Sequence, residues 1–498
     1  MSDTRENRLP DLTGRLRDYV EAFNARDEEL YRNDIANAEA FAYLKDNTPL
    51  LDCPDKELET TYYFRWWTLR KHWKTTPAGH ILTEFLPPVG WAGPYNSINC
   101  PVGHHLREAR WLRDEPGWLW EYVRFWLDGR GNALAYSMWF ADSLEACFAL
   151  RPDETLLREF VPKLDALYRK KEESSLRPCG LYWSNDGWDG MEYSISGSGI
   201  RPTLNSYLCG DAFAISRMAA SAGMDGLAET YRQKGERIRE RMDALLWDGD
   251  FYRTIPCGEK DAADWAVRPE TPAEHRVREL TGYLPWYFHL PDKEKDGAFS
   301  QLLHRTGFCA PYGLTTAEQR HPGFLSRHSH ECLWNGYVWP FATSQTLTAA
   351  ANAIRDHGGA VPLSTEDYYR MLRQYALSHR LTENGETRCW IDEDMDPFTG
   401  RWYARDVLER LPCPTPGKVK ERGKDYNHST FCDLVLSGLL GIHFDGGRLT
   451  ADPILPESWD HFMVAGLTKD NWTVLYDKDG THYGLGPGLR CFRPQRGV

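Results

Sequence analysis

Between Trp183 and Tyr207 the chain reads WSNDGWDGMEYSISGSGIRPTLNSY. Tryptophans, carboxylates and glycines crowd together there, just ahead of an apolar stretch. A hydrophobic core needs no such mixture, whereas a sugar site does. Aromatic faces stack on pyranose rings, carboxyl groups move protons, and glycines let backbone come close. Hydrolysis of a glycosidic bond takes two carboxyl groups, one protonating the leaving oxygen and the other activating water or attacking the sugar. The acid must stay protonated near neutral pH, which apolar, aromatic surroundings favour. Asp189, flanked by Trp188 and close to Met191 and Tyr193, has such surroundings. Asp186 and Glu192 compete with it on the same grounds, and a carboxylate capping a glycine-rich turn would also account for Asp189.

About 200 residues downstream, IDEDMDPFTGRW carries Asp392, Glu393, Asp394 and Asp396 and offers the second carboxylate. A solvated acidic loop or a structural calcium site are the competing readings. Asp392, Asp394 and Asp396 fit the first positions of an EF-hand loop, but Pro397 stands where that loop requires glycine and Tyr403 where it requires glutamate. His328-Ser-His330-Glu331 has no third ligand at a metal-binding spacing. Gly197-Ser-Gly199 lacks the third glycine and the preceding strand of a dinucleotide fingerprint. With no Walker loop and no nucleophile elbow either, neither metal nor cofactor is expected.

The whole chain fits a carbohydrate enzyme. Its 498 residues are 41% hydrophobic and 26% charged, a globular composition, and the 13% aromatic content suits either a large aromatic core or a sugar cleft. A net charge of −13 argues against nucleic acid or an anionic membrane as partner. No apolar run approaches a membrane span, and the charged start MSDTRENRLP lacks a signal-peptide core. The 12 cysteines are scattered without a Cys-x-x-Cys pair. A cytoplasmic protein acting on a small-molecule carbohydrate is expected, its oligomeric state open.

The elements that must position these groups are mostly helices. An amphipathic stretch at 11–30 precedes an aromatic helix at 57–73, then strands and ordered loop run from Thr76 to Pro101. From about Gly103 two kinds of helix alternate. Segments 133–150, 203–222, 338–357 and 427–442 are apolar nearly all round, while 153–171, 227–246 and 364–381 carry a single apolar stripe. A helix apolar on every side is buried between layers and a striped one covers the outside. Eleven or twelve helices in such alternation imply two concentric layers. The expected fold is therefore mainly α, an (α/α)6 barrel with a small C-terminal β appendage built from 462–464, 472–476 and 489–492. The expected divisions are 1–100, packed on the barrel, the barrel itself at 101–445, and 446–498. The loops feeding inner helices would line the cleft.

Several blocks resemble clan G of the glycoside hydrolases, which holds families 63 and 37, including mannosylglycerate hydrolase-like enzymes and trehalases. GWDGMEYS followed by LNSYL resembles the clan's Ser-Gly-Met/Trp-Asp turn and Leu-Asn-Ser-Tyr helix start. EDMDPFTG resembles its Glu-Asn-Tyr-x-Pro-x-Thr-Gly, WNGYVWPFATSQTL its Trp-x-Gly-x-x-Trp segment, and YNHSTFCDLVLSGLLGI its last inner helix. The resemblance covers roughly residues 100–445 in ordered blocks. It implies an inverting hydrolase of small glycosides or oligosaccharides, α-glucoside-like, with Asp189 as acid and Glu393 as base. The clan's Asn after the acid and its nearby Arg are replaced here by Gly190 and by Glu192 or Tyr193, which leaves Glu192 open as a catalytic or sugar-binding group.

For ring stacking the candidates are Trp188, Trp334, Trp339 and Trp390; for hydroxyl contacts they are Asn205, Arg110, Asn335 and His428; Glu192 and Tyr193 are further substrate-binding candidates. Sugar epimerases and lyases also use (α/α) barrels, and for them His104, His328, His330 and His428 would carry the protons. A sugar-binding relative without turnover is the remaining alternative.

Overall fold

A computed structural model describes residues 11–113, 117–261, 263–412, 417–445, 448–477 and 479–485. Two helices open the chain, α1 (Leu12–Asn24) and α2 (Asn37–Asn47). α1 is the expected amphipathic helix, with Leu12, Leu16, Val20 and Phe23 buried.

Six outer and inner segments then alternate. α3 (Lys56–His72) leads to α4 (Val102–Ala109), α5 (Trp118–Leu127) to α6 (Phe140–Leu150), and α7 (Glu154–Ser175) to α8 (Pro202–Ser221). α9 (Asp225–Leu245) leads to the short α10 (Leu284–Tyr287), and a 3-10 stretch at Lys293–Leu302 to α11 (Pro340–His357). α12 (Thr365–Ser378) leads, after α13 (Tyr403–Glu409), to an inner segment around Leu434–Leu439 wound as a π-helix.

α4, α6, α8, α10, α11 and the 434–439 segment pack side by side in that order. The ring closes where Glu108, at the end of α4, accepts the backbone N–H groups of Phe431, Cys432 and Asp433. Those N–H groups begin a helical segment and have no intrahelical acceptor, so one buried carboxylate both starts the last inner helix and joins it to the first. The chain folds as a mainly helical (α/α)6 barrel.

Local chemistry sets the element ends. Asp55, Asp153 and Ser364 cap α3, α7 and α12 through their side chains, each worth about 1 kcal/mol. Pro202 and Pro340 open α8 and α11 at the position where a missing N–H costs nothing.

The aromatic helix expected at 57–73 is α3, an outer helix that is buried nearly all round because α1 and α2 pack over it. Two expectations shift. The helix expected from 133 starts only at Phe140, because Asn99 ties down 133–136: its amide donates to the Ala133 and Tyr136 carbonyls and accepts the Tyr136 N–H. The helix expected from 427 begins near Phe431, since Asn427 is tied to Glu84 and His105, and Arg65 grips Ser429.

The C-terminal strands Phe462–Leu467, Trp472–Asp477 and Gly480–Leu485 pair antiparallel, and Leu50–Asp52 adds a fourth strand to their sheet. The expected run at 489–492 lies outside the described residues. Among the described residues no helix is long and apolar enough to cross a membrane.

Candidate active site

Loops that feed the inner helices meet at one rim and enclose a cavity of about 190 Å³. Glu84, Phe85, Trp91, Ile98 and Cys100 come from the segment before α4, and Tyr136 from the one before α6. Gly190 and Glu192 precede α8, and residues from His330 to Trp339 precede α11. Glu393, Lys418, Arg422, Tyr426 and His428 precede the last inner segment.

The carboxylates of the 186–192 loop have separate fates. Asp189 does not line the cavity. Its side chain has no exposed surface, and neither has that of its partner Arg201, whose Nε lies 2.7 Å from Oδ2. Ser137 and Ser184 donate to the other oxygen at 2.6 and 2.5 Å. Asp189 is thus an internal tie binding this loop to α8 and to the 133–139 segment. Asp186 bonds Ser198 Oγ at 3.1 Å and its carbonyl takes the Met191 N–H.

Two residues on from Asp189, Met191 is buried without exposure, so Glu192 faces the other way, into the cavity. Gly190 makes the reversal possible: its φ is +69°, and a Cβ there would sit 2.8 Å from Cys100 Sγ. Tyr193 also holds a positive φ of 60°, a conformation that non-glycine residues keep only where surroundings enforce it. The Glu192 carbonyl accepts the Trp334 N–H at 3.0 Å, joining this loop to the one before α11. Among the described residues no cationic side chain pairs with the Glu192 carboxyl. Burial, with the charges of Glu393 and Asp186 adding to it, pushes Glu192 up to about 7.

Glu393 stands in a different field. Arg422 donates from Nε and Nη2 to its two oxygens at 2.6 and 2.7 Å, and Cys332 Sγ lies 2.9 Å from Oε2. Arg422 also donates to Glu331 at 2.7 Å, and Lys418 reaches Glu331 at 2.9 Å. Glu84 is the remaining carboxyl. Burial, with Glu393 and Glu192 adding, pushes it up to about 8 despite the bond it accepts from Tyr426 Oη at 2.6 Å.

Trp334 and Trp339 stack with centroids 4.6 Å apart, and both line the cavity with His428. Tyr193 sits beside His328 and His330, with His330 on the cavity wall. The other candidates lie elsewhere. Trp188 is 54% exposed and packs edge-on to Trp183, away from the cavity lining. Asn205 is spent on the Tyr182 backbone and the Arg201 carbonyl, Arg110 pairs with buried Asp433, and Asn335 locks Ser326. Trp390 is buried under Arg388, Arg405 and Lys424 on a separate pocket beside α1 and α3. His104 is enclosed by Trp139 and Phe341, and His328 bonds Ser326. Asp392, Asp394 and Asp396 do not converge as ligands: each accepts backbone N–H groups of its own surroundings.

Sequence reasoning missed Glu84, Arg422 and Tyr426. Glu84 had a signal, as the one carboxyl in the apolar run ILTEFLPP. Arg422 stands in a run of charges, KVKERGKD, with nothing to single it out.

The comparisons bear on the family and the fold. The sequence model of the mannosylglycerate hydrolase MGH1-like glycoside hydrolase domain matches residues 94–429, a span that holds Glu192, Glu393 and Arg422. A solved structure described as "Sialidase" is 34% identical with a TM-score of 0.84 over 95% of this chain; the chain spans only 43% of that protein's length. The family 63 mannosylglycerate hydrolase from Thermus thermophilus, solved with glucose, is 15% identical with a TM-score of 0.50, over 70% of this chain and 98% of its own. An α-L-rhamnosidase from Dictyoglumus thermophilum is 11% identical with a TM-score of 0.54, over 90% of this chain and 45% of its own. No curated protein sequence matches the chain. The family model spans more than half of the chain, and the helical barrel described above accords with it: the chain belongs to the mannosylglycerate hydrolase MGH1-like glycoside hydrolase family.

Proposed function

We propose that this cleft hydrolyses an O-glycosidic bond, with Glu192 as general acid and Glu393 as general base. The observation that carries the reading is the contrast between the two glutamates on one cavity wall. Glu192 has no cationic partner among the described residues and is raised by burial to about 7, so it holds its proton near neutral pH and can deliver it to a leaving oxygen. Glu393 is gripped at both oxygens by Arg422, which fixes the direction in which it receives a proton from water. Trp334 and Trp339 offer apolar faces to the sugar. The clan G resemblance implies inversion, in which base-activated water attacks from the face opposite the leaving group.

Asp189, the acid implied by the resemblance, serves in this reading as the anchor that aims Glu192. The test is a screen of glycosides by product release, with the first-formed anomer read by NMR. Release of a free sugar that Glu192→Gln abolishes supports the reading. Turnover retained in that variant would remove Glu192 from the role, and an unsaturated or isomerised product would indicate a lyase or epimerase instead.

A further inference from the structure

Hydrolysis as proposed above uses Glu192 and Glu393 and gives Glu84 no task, although Glu84 lines the same cavity. Its backbone is fixed from two sides. The antiparallel hairpin of Trp73–Thr76 and Gly79–Leu82 carries the chain out of α3, and the Thr83 N–H continues the pairing by donating to the His72 carbonyl at 3.0 Å. From the other side the Asn427 N–H donates to the Glu84 carbonyl at 3.1 Å, and the Asn427 amide donates to the Thr83 carbonyl, also at 3.1 Å. The carboxyl meets the cavity from a braced backbone.

One carboxyl oxygen, Oε1, lies 2.6 Å from Tyr426 Oη. The phenol is itself pinned, its ring centroid 3.8 Å from that of His428 and 4.7 Å from that of Phe85. Among the described residues no cation pairs with Glu84: the nearby Arg422 is engaged by Glu393 and Glu331. A buried carboxyl beside two others, with no counter-charge in contact, keeps its proton near neutral pH. Proton counting then leaves one over. A carboxylic acid and a phenol bring two O–H groups, and the single contact between them uses one. Whichever way that contact runs, the other O–H has no protein acceptor among the described residues. Buried donors are ordinarily satisfied. Glu84 and Tyr426 both line the cavity, so the acceptor is supplied by what the cavity holds.

We infer that the Glu84–Tyr426 pair is a substrate-binding element that donates one O–H hydrogen bond to a hydroxyl oxygen of the bound sugar. Glu84 precedes the span 94–429 that the family model matches, so the contact comes from a segment that the matched domain does not include. The inference rests on the glycoside hydrolase reading for the nature of the ligand, but it is tested by spectroscopy and binding without turnover. The first measurement is infrared difference spectroscopy of the wild-type chain against Glu84→Gln at about pH 6, below the value of about 8 to which burial raises Glu84. A carbonyl band of a protonated carboxyl is expected in the wild type and is missing from the variant. Absence of that difference overturns the inference.

The second measurement is calorimetric titration of glucose, galactose, mannose and rhamnose, followed by the monodeoxy analogues of whichever binds tightest. Removing one particular hydroxyl weakens wild-type binding by about tenfold. Glu84→Ala weakens the parent sugar by about the same factor and erases the penalty of that one deoxy analogue, as expected of two groups that form a single bond. Glu84→Gln stays within about threefold of the wild type, because its amide N–H stands in for the O–H while its carbonyl takes the Tyr426 bond. Deoxy penalties that all survive in Glu84→Ala, a Glu84→Gln variant as weak as Glu84→Ala, or no sugar bound by the wild type overturns the inference. Should Glu84→Ala not fold, the infrared band and Glu84→Gln decide: a missing band, or a loss of about tenfold in Glu84→Gln, contradicts it. A glycoside panel without turnover would defeat the hydrolase reading and leave this contact standing.

Discussion

Asp189 and Glu192 lie three residues apart in one loop, and they show how the same functional group is put to opposite uses. Asp189 is sealed from solvent with three donors on its oxygens. Glu192 lines a cavity, and among the described residues no cationic side chain pairs with its carboxyl. A buried carboxylate that is paired and hydrogen-bonded is a structural tie. One whose burial outweighs what favours its ionised form is suited to hold a proton. Only two residues intervene, Gly190 in a left-handed conformation and the inward-facing Met191. What a carboxyl does here depends on which side of the loop it leaves, and the neighbouring sequence hardly differs.

The sharpest way to break this contrast is to neutralise each residue in turn. Glu192→Gln should lower kcat by about 10²–10⁴, roughly 3–5 kcal/mol of barrier, with thermal stability nearly unchanged. Asp189→Asn should do the reverse in kind: it leaves Arg201 buried without its counter-charge and costs about 3–5 kcal/mol of stability, seen as a lowered urea midpoint. Equal and parallel losses of activity and stability in both variants would erase the distinction.

A smaller effect tests the hinge between them. Gly190→Ala forces a Cβ into the left-handed region, at about 1–2 kcal/mol, and against Cys100 Sγ. Its stability should fall by that amount and its kcat by more than its KM changes, because Glu192 is re-aimed. The smallest effect is a shift in pH dependence in Glu393→Gln, read on the rate left after loss of the proposed base has lowered kcat by about 10²–10⁴. Wild-type activity should decline as pH rises through about 7, since the proposed acid works only while protonated. Removing the Glu393 charge withdraws one of the influences that raise Glu192, so the alkaline limb moves to lower pH. A limb that stays in place would show that Glu393 does not act on the acid.

Much of this architecture could be read beforehand. The alternation of all-round apolar and striped helices is a direct consequence of two concentric layers, and it predicted the barrel. α3 is the aromatic helix expected at 57–73, but that its surface is covered by α1 and α2 is a tertiary arrangement that periodicity does not carry. The proposed acid was harder to read. Trp188-Asp189-Gly190-Met191-Glu192 satisfies the clan's pattern in two registers, as Trp-Asp and as Gly-Met followed by an acid. The residue that separates them is Arg201, which neutralises Asp189 from twelve positions further along. Nothing local announces that pairing; it follows from the antiparallel strands Trp183–Ser184 and Gly199–Ile200, which bring the two ends of the loop together. Trp188 and Trp390 show a similar limit, since a tryptophan's type suits a sugar face but its side of the loop decides whether it meets one.

The central claim is that Glu192, and not Asp189, protonates the leaving group. Leaving groups of graded acidity test it most directly, because an activated aryl glycoside departs without a proton and an alkyl glycoside does not. The measurement is kcat for Glu192→Gln across such a series. The account predicts a large loss on alkyl glycosides that shrinks steadily as the leaving group becomes more acidic. A loss of the same size for every leaving group, or the graded pattern appearing in Asp189→Asn instead, would contradict it.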